Sequence, residues 1–285
     1  MGAGPTQARS HGLTDQTLEL LPRDWRVQPV RHPIGRHVRS CYERLFTGRA
    51  APAAGLPIHR GKALAALLNY PLELLNDIPD RLWEHFLPCG NPLPYLQPKG
   101  GERILNLGSG IGIDSLALVQ RSAPDIHVVN VDVVTEALVL SRNLTRQEKT
   151  AFRAFEARLS WVCAEGDLLP FHPDSFDWVL MNGVFNLFPD KVRLLSQVFR
   201  SLKVDGGLVI MDLGVSGELP EYFAEERDGW AWCMSGACTR PQLMLLMESA
   251  GFRVELFEEG DPADLLYPMG LVARKISCAD GSVSG

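Results

Sequence analysis

Arg103-Ile104-Leu105-Asn106-Leu107-Gly108-Ser109-Gly110-Ile111-Gly112-Ile113-Asp114 reads as a short apolar strand, a tight turn and the first turn of a helix. Three glycines stand at alternate positions in the turn. There they admit positive φ and let a ligand approach the backbone closely. Ser115-Leu116-Ala117-Leu118-Val119 continues the helix, and twenty residues beyond Gly112 the strand His127-Val128-Val129-Asn130-Val131 ends in Asp132. An acid so placed accepts the hydroxyls of a ribose. Together these features point to a nucleoside-bearing ligand. The G-x-G-x-G spacing departs from the dinucleotide fingerprint G-x-G-x-x-G, which disfavours a nicotinamide dehydrogenase.

Outward from this stretch, strand and helix patterns alternate. Strands are expected at 103–107, 126–131, 159–164, 177–181, 207–212, 253–258 and 270–275. Helices are expected at 113–122, 135–155, 189–202 and 239–250. Interleaving of this kind predicts an α/β fold: a doubly wound, Rossmann-like, mostly parallel seven-stranded sheet covered on both faces. Ahead of it, helices at 38–46, 64–75 and 80–87 form an N-terminal helical extension. The chain divides into a partly disordered extension (1–60), a helical cap (61–98), the α/β domain (99–277) and a disordered tail (278–285).

Composition narrows the function. The 285 residues carry a net charge of −6 and no run of Lys or Arg, so a nucleic-acid partner is not expected. No apolar stretch approaches the roughly 18 residues of a membrane span, and no signal-peptide pattern opens the sequence. The six cysteines show neither C-x-x-C pairs nor zinc spacing. The expectations are reduced thiols, no metal, a cytoplasmic location, and a monomer or homodimer acting on a small molecule.

Ligands of such sheets bind beyond the C-terminal strand ends, so each strand end is a candidate site. The first carries Gly108, Ser109, Gly110 and Gly112, with Asp114 in the helical turn beyond. The second carries Asp132, the third Asp167 and Leu168, and the fourth Asn182.

The glycine turn with its acid resembles motif I of class I S-adenosylmethionine-dependent methyltransferases. Longer stretches resemble the arsenite methyltransferase group within them. Asn69-Tyr70-Pro71-Leu72-Glu73-Leu74-Leu75 and Phe86-Leu87-Pro88-Cys89-Gly90-Asn91-Pro92 look like that group's segments ahead of motif I. Asn182-Gly183-Val184-Phe185-Asn186-Leu187-Phe188-Pro189-Asp190-Lys191 looks like its N-C/G-V-x-N-L-x-P-D-K segment, and Trp230-Ala231-Trp232-Cys233-Met234-Ser235-Gly236-Ala237 like its W-x-x-C-x-x-G-A segment.

The resemblance implies S-adenosylmethionine as cosubstrate. Asp132 would take its ribose, Asp167 its adenine amino group, Leu168 the adenine ring, and Asn182 its sulfonium end. Asn106 stands where the family usually has an acid for the methionine ammonium. Arsenic-methylating members hold trivalent arsenic with thiolates, which suit a soft centre. Cys89 and Cys233 match two of those cysteines, whereas the third position is Gly183. A monomethylated arsenical needs only two thiolates. The alternative acceptor is an organic metabolite methylated on oxygen, nitrogen or carbon, with His85 or His172 as base; the remaining alternative is a non-catalytic binding protein. The acceptor pocket is expected between the N-terminal helices, the turn after the fourth strand and the acidic, tryptophan-bearing insert 213–237.

Overall fold

The computed structural model describes residues 32–49, 60–146, 151–220, 227–261 and 263–276. Residues 1–31 and 50–59 of the extension expected to be partly disordered, and the tail 278–285, fall outside those residues, as do Glu221, Glu225 and Glu226 of the acidic insert.

Seven strands form one sheet in the order β3-β2-β1-β4-β5-β7-β6. They are β1 (Arg103–Leu107), β2 (His127–Asp132), β3 (Leu159–Cys163), β4 (Phe176–Asn182), β5 (Leu202–Val215), β6 (Phe252–Glu259) and β7 (Leu266–Lys275). The first five pair in parallel, and β7 runs antiparallel between β5 and β6. The doubly wound, mostly parallel seven-stranded sheet expected from the sequence is therefore present.

Eight α-helices accompany these strands among the described residues: α1 (Pro33–Phe46), α2 (Gly61–Leu67), α3 (Asp80–Trp83), α4 (Ile113–Arg121), α5 (Thr135–Arg146), α6 (Lys191–Ser201), α7 (Arg227–Ala231) and α8 (Arg240–Ser249). The period-two alternation of each strand sends side chains to opposite faces. Ile104, Val128, Trp178, Leu180 and Val209 join one apolar cluster, with α4, α5 and the segment 65–96. Leu105, Leu107, Val129, Val131, Val179 and Met181 join the other, under α6 and α8. Both faces are thus dry, as a parallel sheet requires.

Element boundaries differ from the sequence reading where caps intervene. The expected helix 64–75 stops after Leu67. Asn69 takes a positive φ of 58°, Pro71 follows, and only a 3₁₀ turn forms at Leu72–Leu75. The expected helix 80–87 is the single turn α3. The expected helix 135–155 ends at Arg146, and a 3₁₀ segment, Ala151–Arg158, precedes β3. Asp190 accepts from Arg193 N at 2.9 Å as the N-cap of α6. Thr239 and Gln242 form a capping box on α8.

Helix α1 begins five residues before its expected start. His32 caps it, its Nδ1 accepting from Ile34 N at 3.2 Å, and Pro33 opens it. It lies across α7: Tyr42 Oη donates to the Ala231 carbonyl at 3.1 Å, and His37 Nε2 meets Asp228 Oδ1 at 3.0 Å.

Candidate active site

A cavity of about 390 Å³ lies beyond the ends of β1 to β4, under α1. The glycine turn forms one wall. Gly108 has a φ of 71°, and a Cβ there would stand 2.4 Å from Val184 Cγ2. No other residue fits that position without displacing the turn after β4. Gly110 N donates to Asp132 Oδ2 at 2.8 Å, and Val134 N to Asp132 Oδ1 at 2.9 Å. Both carboxylate oxygens are therefore aimed, while each keeps accepting capacity toward the cavity. Burial raises the Asp132 pKa against these backbone bonds.

Asp167 Oδ2 lies 3.4 Å from Arg193 Nε, whereas the buried Oδ1 has no partner. Ser109 Oγ on the same cavity is also buried and unpartnered. Such groups call for a polar ligand. A nucleoside meets them: hydroxyls for Asp132, an exocyclic amine for Asp167, and the close backbone of Gly108 and Gly110.

Three expected cofactor residues lie elsewhere. Asn106 shares the Ile104 face of β1, away from the cavity; its Nδ2 donates to Ser115 Oγ at 2.9 Å, and Ser115 donates to Asn130 Oδ1 at 2.7 Å. Leu168 does not line the cavity, where Val133, Leu187 and Phe188 supply the apolar surface instead. Gly112 caps α4 with a φ of 78° and is likewise set back from the lining.

Asp114 lines the cavity and belongs to a network absent from the sequence reading. Tyr70 Oη donates to Asp114 Oδ1 at 2.7 Å, and Asn182 Nδ2 donates to Asp114 Oδ2 at 3.1 Å. The same Nδ2 reaches Tyr70 Oη at 3.0 Å and Gly90 O at 3.1 Å. Asn182 Oδ1 accepts from Cys89 N at 3.0 Å and Gly90 N at 3.3 Å. Asn182 thus clamps the 89–90 turn to β4 and α4. Burial pushes the Asp114 carboxyl up to about 6, against the hydrogen bonds from Tyr70 and Asn182.

Cys89, Cys233 and Asp212 converge just behind Gly183. Their ligating atoms lie within 4.8 Å of one another, with Cys89 Sγ 3.9 Å from Asp212 Oδ1. Cys233 Sγ donates to the Gly183 carbonyl at 3.3 Å. A Cβ on Gly183 would stand 3.4 Å from Cys89 Sγ. All three cysteine positions of the resemblance therefore meet at one point. Asn186 fixes the arrangement: its Nδ2 donates to Cys233 O at 3.0 Å and to Leu213 O at 2.7 Å, and its N donates to Asp212 Oδ2 at 3.1 Å. Gly236 has no room for a side chain, since a Cβ would fall 1.9 Å from Asn186 O.

The hydrogen bond between the thiols lowers the Cys89 pKa, but burial and Asp212 outweigh it, so that thiol sits above its ordinary value. The same bond, burial and Asp212 all raise Cys233. Burial pushes Asp212 up to about 6, against N–H donors from Asn186 and Leu213.

Of the two histidines, His85 lines the cavity and His172 is exposed outside it. His85 packs 5.3 Å from the Phe46 ring, its Nδ1 is buried without a partner, and burial lowers its pKa. Among the described residues the insert 213–237 supplies no cavity-lining residue; it backs α1 and carries Cys233. The roof is α1, through Val38, Arg39, Tyr42 and Phe46. Tyr70, Asp212 and Asn186 were missed in the sequence as site residues, whereas the N-terminal helices were expected at the pocket and α1 is one of them. Asp212 alone had a signal, an acid within a C-terminal strand end.

A family model described as a methyltransferase domain matches residues 98–251, more than half of the chain. The arsenite methyltransferase of Halobacterium salinarum is 31% identical over 181 residues, 63% of this chain and 45% of that protein. That of Mus musculus is 29% identical over 226 residues, 77% of this chain and 58% of that protein. The chain spans about half the length of these curated relatives. The crystal structure of an arsenic(III) S-adenosylmethionine methyltransferase from Chlamydomonas reinhardtii shares the fold, with a TM-score of 0.60 at 24% identity over 72% of this chain and 73% of that one. The chain belongs to the methyltransferase-domain family, with a fold shared with that methyltransferase structure and sequence similarity to the arsenite methyltransferases.

Proposed function

We propose that the chain methylates a small trivalent arsenical bearing one organic substituent, held by Cys89 and Cys233 beside Gly183. The observation that carries this reading is the meeting of Cys89 and Cys233 just behind Gly183, which lines the cavity, with the Gly183 Cβ position 3.4 Å from Cys89 Sγ. Two thiols match a centre with two exchangeable positions. Inorganic arsenite has three and lacks its third thiol here.

S-adenosylmethionine supplies a methyl group activated on a sulfonium. Asp132 holds the ribose hydroxyls and Asp167 Oδ1 the adenine amine, with Ser109 and the glycine turn along the rest. Asp114 is the carboxylate available to the methionine ammonium, the part expected of Asn106. Helix α1 closes the cavity against water. Asn182 keeps the Cys89 turn fixed; transfer would need an acceptor on the thiols about 3–3.5 Å from the methyl carbon, in line with the breaking bond. The arsenic lone pair forms the new bond and the carbon–sulfur electrons leave with sulfur, so the positive charge passes to arsenic and no base is needed.

One observation favours an organic acceptor as a second reading. His85 lines the cavity, its Nδ1 is buried without a partner, and burial lowers its pKa, which favours the unprotonated form that a general base uses. Turnover of monomethylarsonous acid by the wild type, Cys89→Ser, Cys233→Ser and His85→Ala separates the two. The first reading expects methylation lost in both serine variants and kept in His85→Ala. Unchanged turnover in the serine variants rejects thiolate capture.

A further inference from the structure

The thiol cluster behind Gly183 holds a third donor that arsenic capture leaves unused. Asp212 is fully buried on β5, and its carboxylate faces the two thiols. Around a tetrahedral d¹⁰ ion, with metal–sulfur bonds of about 2.3 Å and metal–oxygen bonds of about 2.1 Å, neighbouring donors stand roughly 3.5–3.8 Å apart. Cys89 Sγ and Asp212 Oδ1 are already 3.9 Å apart, and no pair in the trio exceeds 4.8 Å. We propose that Cys89, Cys233 and Asp212 form a two-sulfur, one-oxygen site for a thiophilic divalent cation of the zinc class.

Three further features suit this occupant. The donors are held from behind: Asn186 N and Leu213 N bond the two Asp212 oxygens, and Asn186 Nδ2 holds the Cys233 carbonyl. Such outer bonds orient metal ligands. Charge balances, because two thiolates and a carboxylate are offset by a divalent cation and the Lys191 ammonium, whose electrostatic partners include Asp212 and Cys233. Beside the trio, the Gly183 carbonyl lies 3.3 Å from Cys233 Sγ as a further oxygen donor. Two S–H protons leave to solvent as two metal–sulfur bonds form, with no change of oxidation state.

The third donor also sets selectivity. A thiol at position 183 would make a soft three-sulfur set, whereas Asp212 makes a mixed set with a hard oxygen. That change favours a divalent cation over inorganic arsenite. The inference rests on donor geometry and holds whatever the enzyme methylates. A second group, His37, Cys41 and Asp228, has donors equally close. There the Arg44 guanidinium donates to Cys41 Sγ at 3.3 Å, occupying the sulfur with a cation.

The test is titration of the reduced full chain with Co²⁺ and with Cd²⁺, read by thiolate-to-metal charge-transfer absorption. One equivalent is expected, with the band lost in Cys89→Ser and Cys233→Ser and unchanged in Cys41→Ser. Asp212→Asn should weaken affinity about tenfold or more, in line with losses at metal-site carboxylates. Thermal melts by circular dichroism report whether each variant folds. Should a variant not fold, cysteine alkylation of the wild type with and without Cd²⁺ decides: protection mapped to Cys89 and Cys233 supports the site. The proposal is overturned by absence of a thiolate band in the wild type, by a band that survives both serine substitutions, by wild-type affinity in Asp212→Asn, or by no protection of the two cysteines.

Discussion

The cavity and the thiol cluster behind Gly183 are built on opposite principles. At the nucleoside end, polar groups are aimed but unfinished: Asp132 is oriented by two backbone N–H groups, and Asp167 Oδ1 and Ser109 Oγ have no partner. Behind Gly183 the groups bond one another: Asn182 holds the 89–90 turn, Cys89 donates to Asp212, and Cys233 donates to the Gly183 carbonyl. Unfinished valences await a polar ligand, because a buried polar group without a partner carries a desolvation penalty of about 1–3 kcal/mol. A closed network needs no such ligand. It yields only to something that replaces S–H bonds with stronger ones, a thiophilic centre.

The largest effect separating the ends is expected from Asp132→Ala. It removes the ribose acceptor and strands Gly110 N and Val134 N. S-adenosylhomocysteine affinity should fall by about 3 kcal/mol, roughly a hundredfold, as read by calorimetry, while arsenical binding survives. Retained nucleoside affinity breaks the comparison at its firmer end.

A pH effect of similar or smaller size belongs to the closed end. Asp212 titrates near 6 in the fold against 3.8 ordinarily. Because its pKa is raised, its protonated form is the one the fold favours. Its contribution is full below about pH 4 and is lost as pH rises through 6, by at most about 3 kcal/mol. Asp212→Asn has no such titration, so its stability relative to wild type should improve between pH 4 and 7 in urea unfolding. A parallel pH dependence in both proteins contradicts the assignment.

Asn182→Ala should lower stability by about 2 kcal/mol, since it leaves Cys89 N and Gly90 N without an acceptor. Its melting temperature should drop, and turnover should fall further than nucleoside affinity. The smallest stability change is expected for Gly183→Cys, about 1–2 kcal/mol for a side chain at a φ of 69°. That variant should nevertheless gain inorganic arsenite binding that the wild type lacks, sharpening the contrast between a mixed and an all-sulfur site.

The nucleoside end was largely legible in the sequence, and the acceptor end only in part. Strand, glycine turn and helix are specified by neighbours, and strand-end acids follow from topology, so Gly108, Gly110, Asp132 and Asp167 arrive where the pattern puts them. Asn106 does not, because in β1 it alternates with Leu105 and Leu107 and so faces α4, where Ser115 satisfies it. Tyr70 bonds a residue 44 positions away, and Tyr42 one 189 positions away. Contacts that distant have no local signature. The meeting of Cys89 and Cys233 was visible only through resemblance. Asp212 closes the expected strand 207–212 but was not read as a site residue; in the fold β5 runs on to Val215, and the carboxylate meets Cys89 and does not line the cavity.

The most direct test of the contrast between the two ends is calorimetry of the reduced chain with S-adenosylhomocysteine and, separately, with monomethylarsonous acid, in wild type, Asp132→Ala and a Cys89→Ser, Cys233→Ser double variant. The account predicts that each ligand binds the wild type once, that Asp132→Ala loses only the nucleoside, and that the double variant loses only the arsenical. Failure of folded wild type to bind the nucleoside, or arsenical binding that survives loss of both thiols, contradicts it.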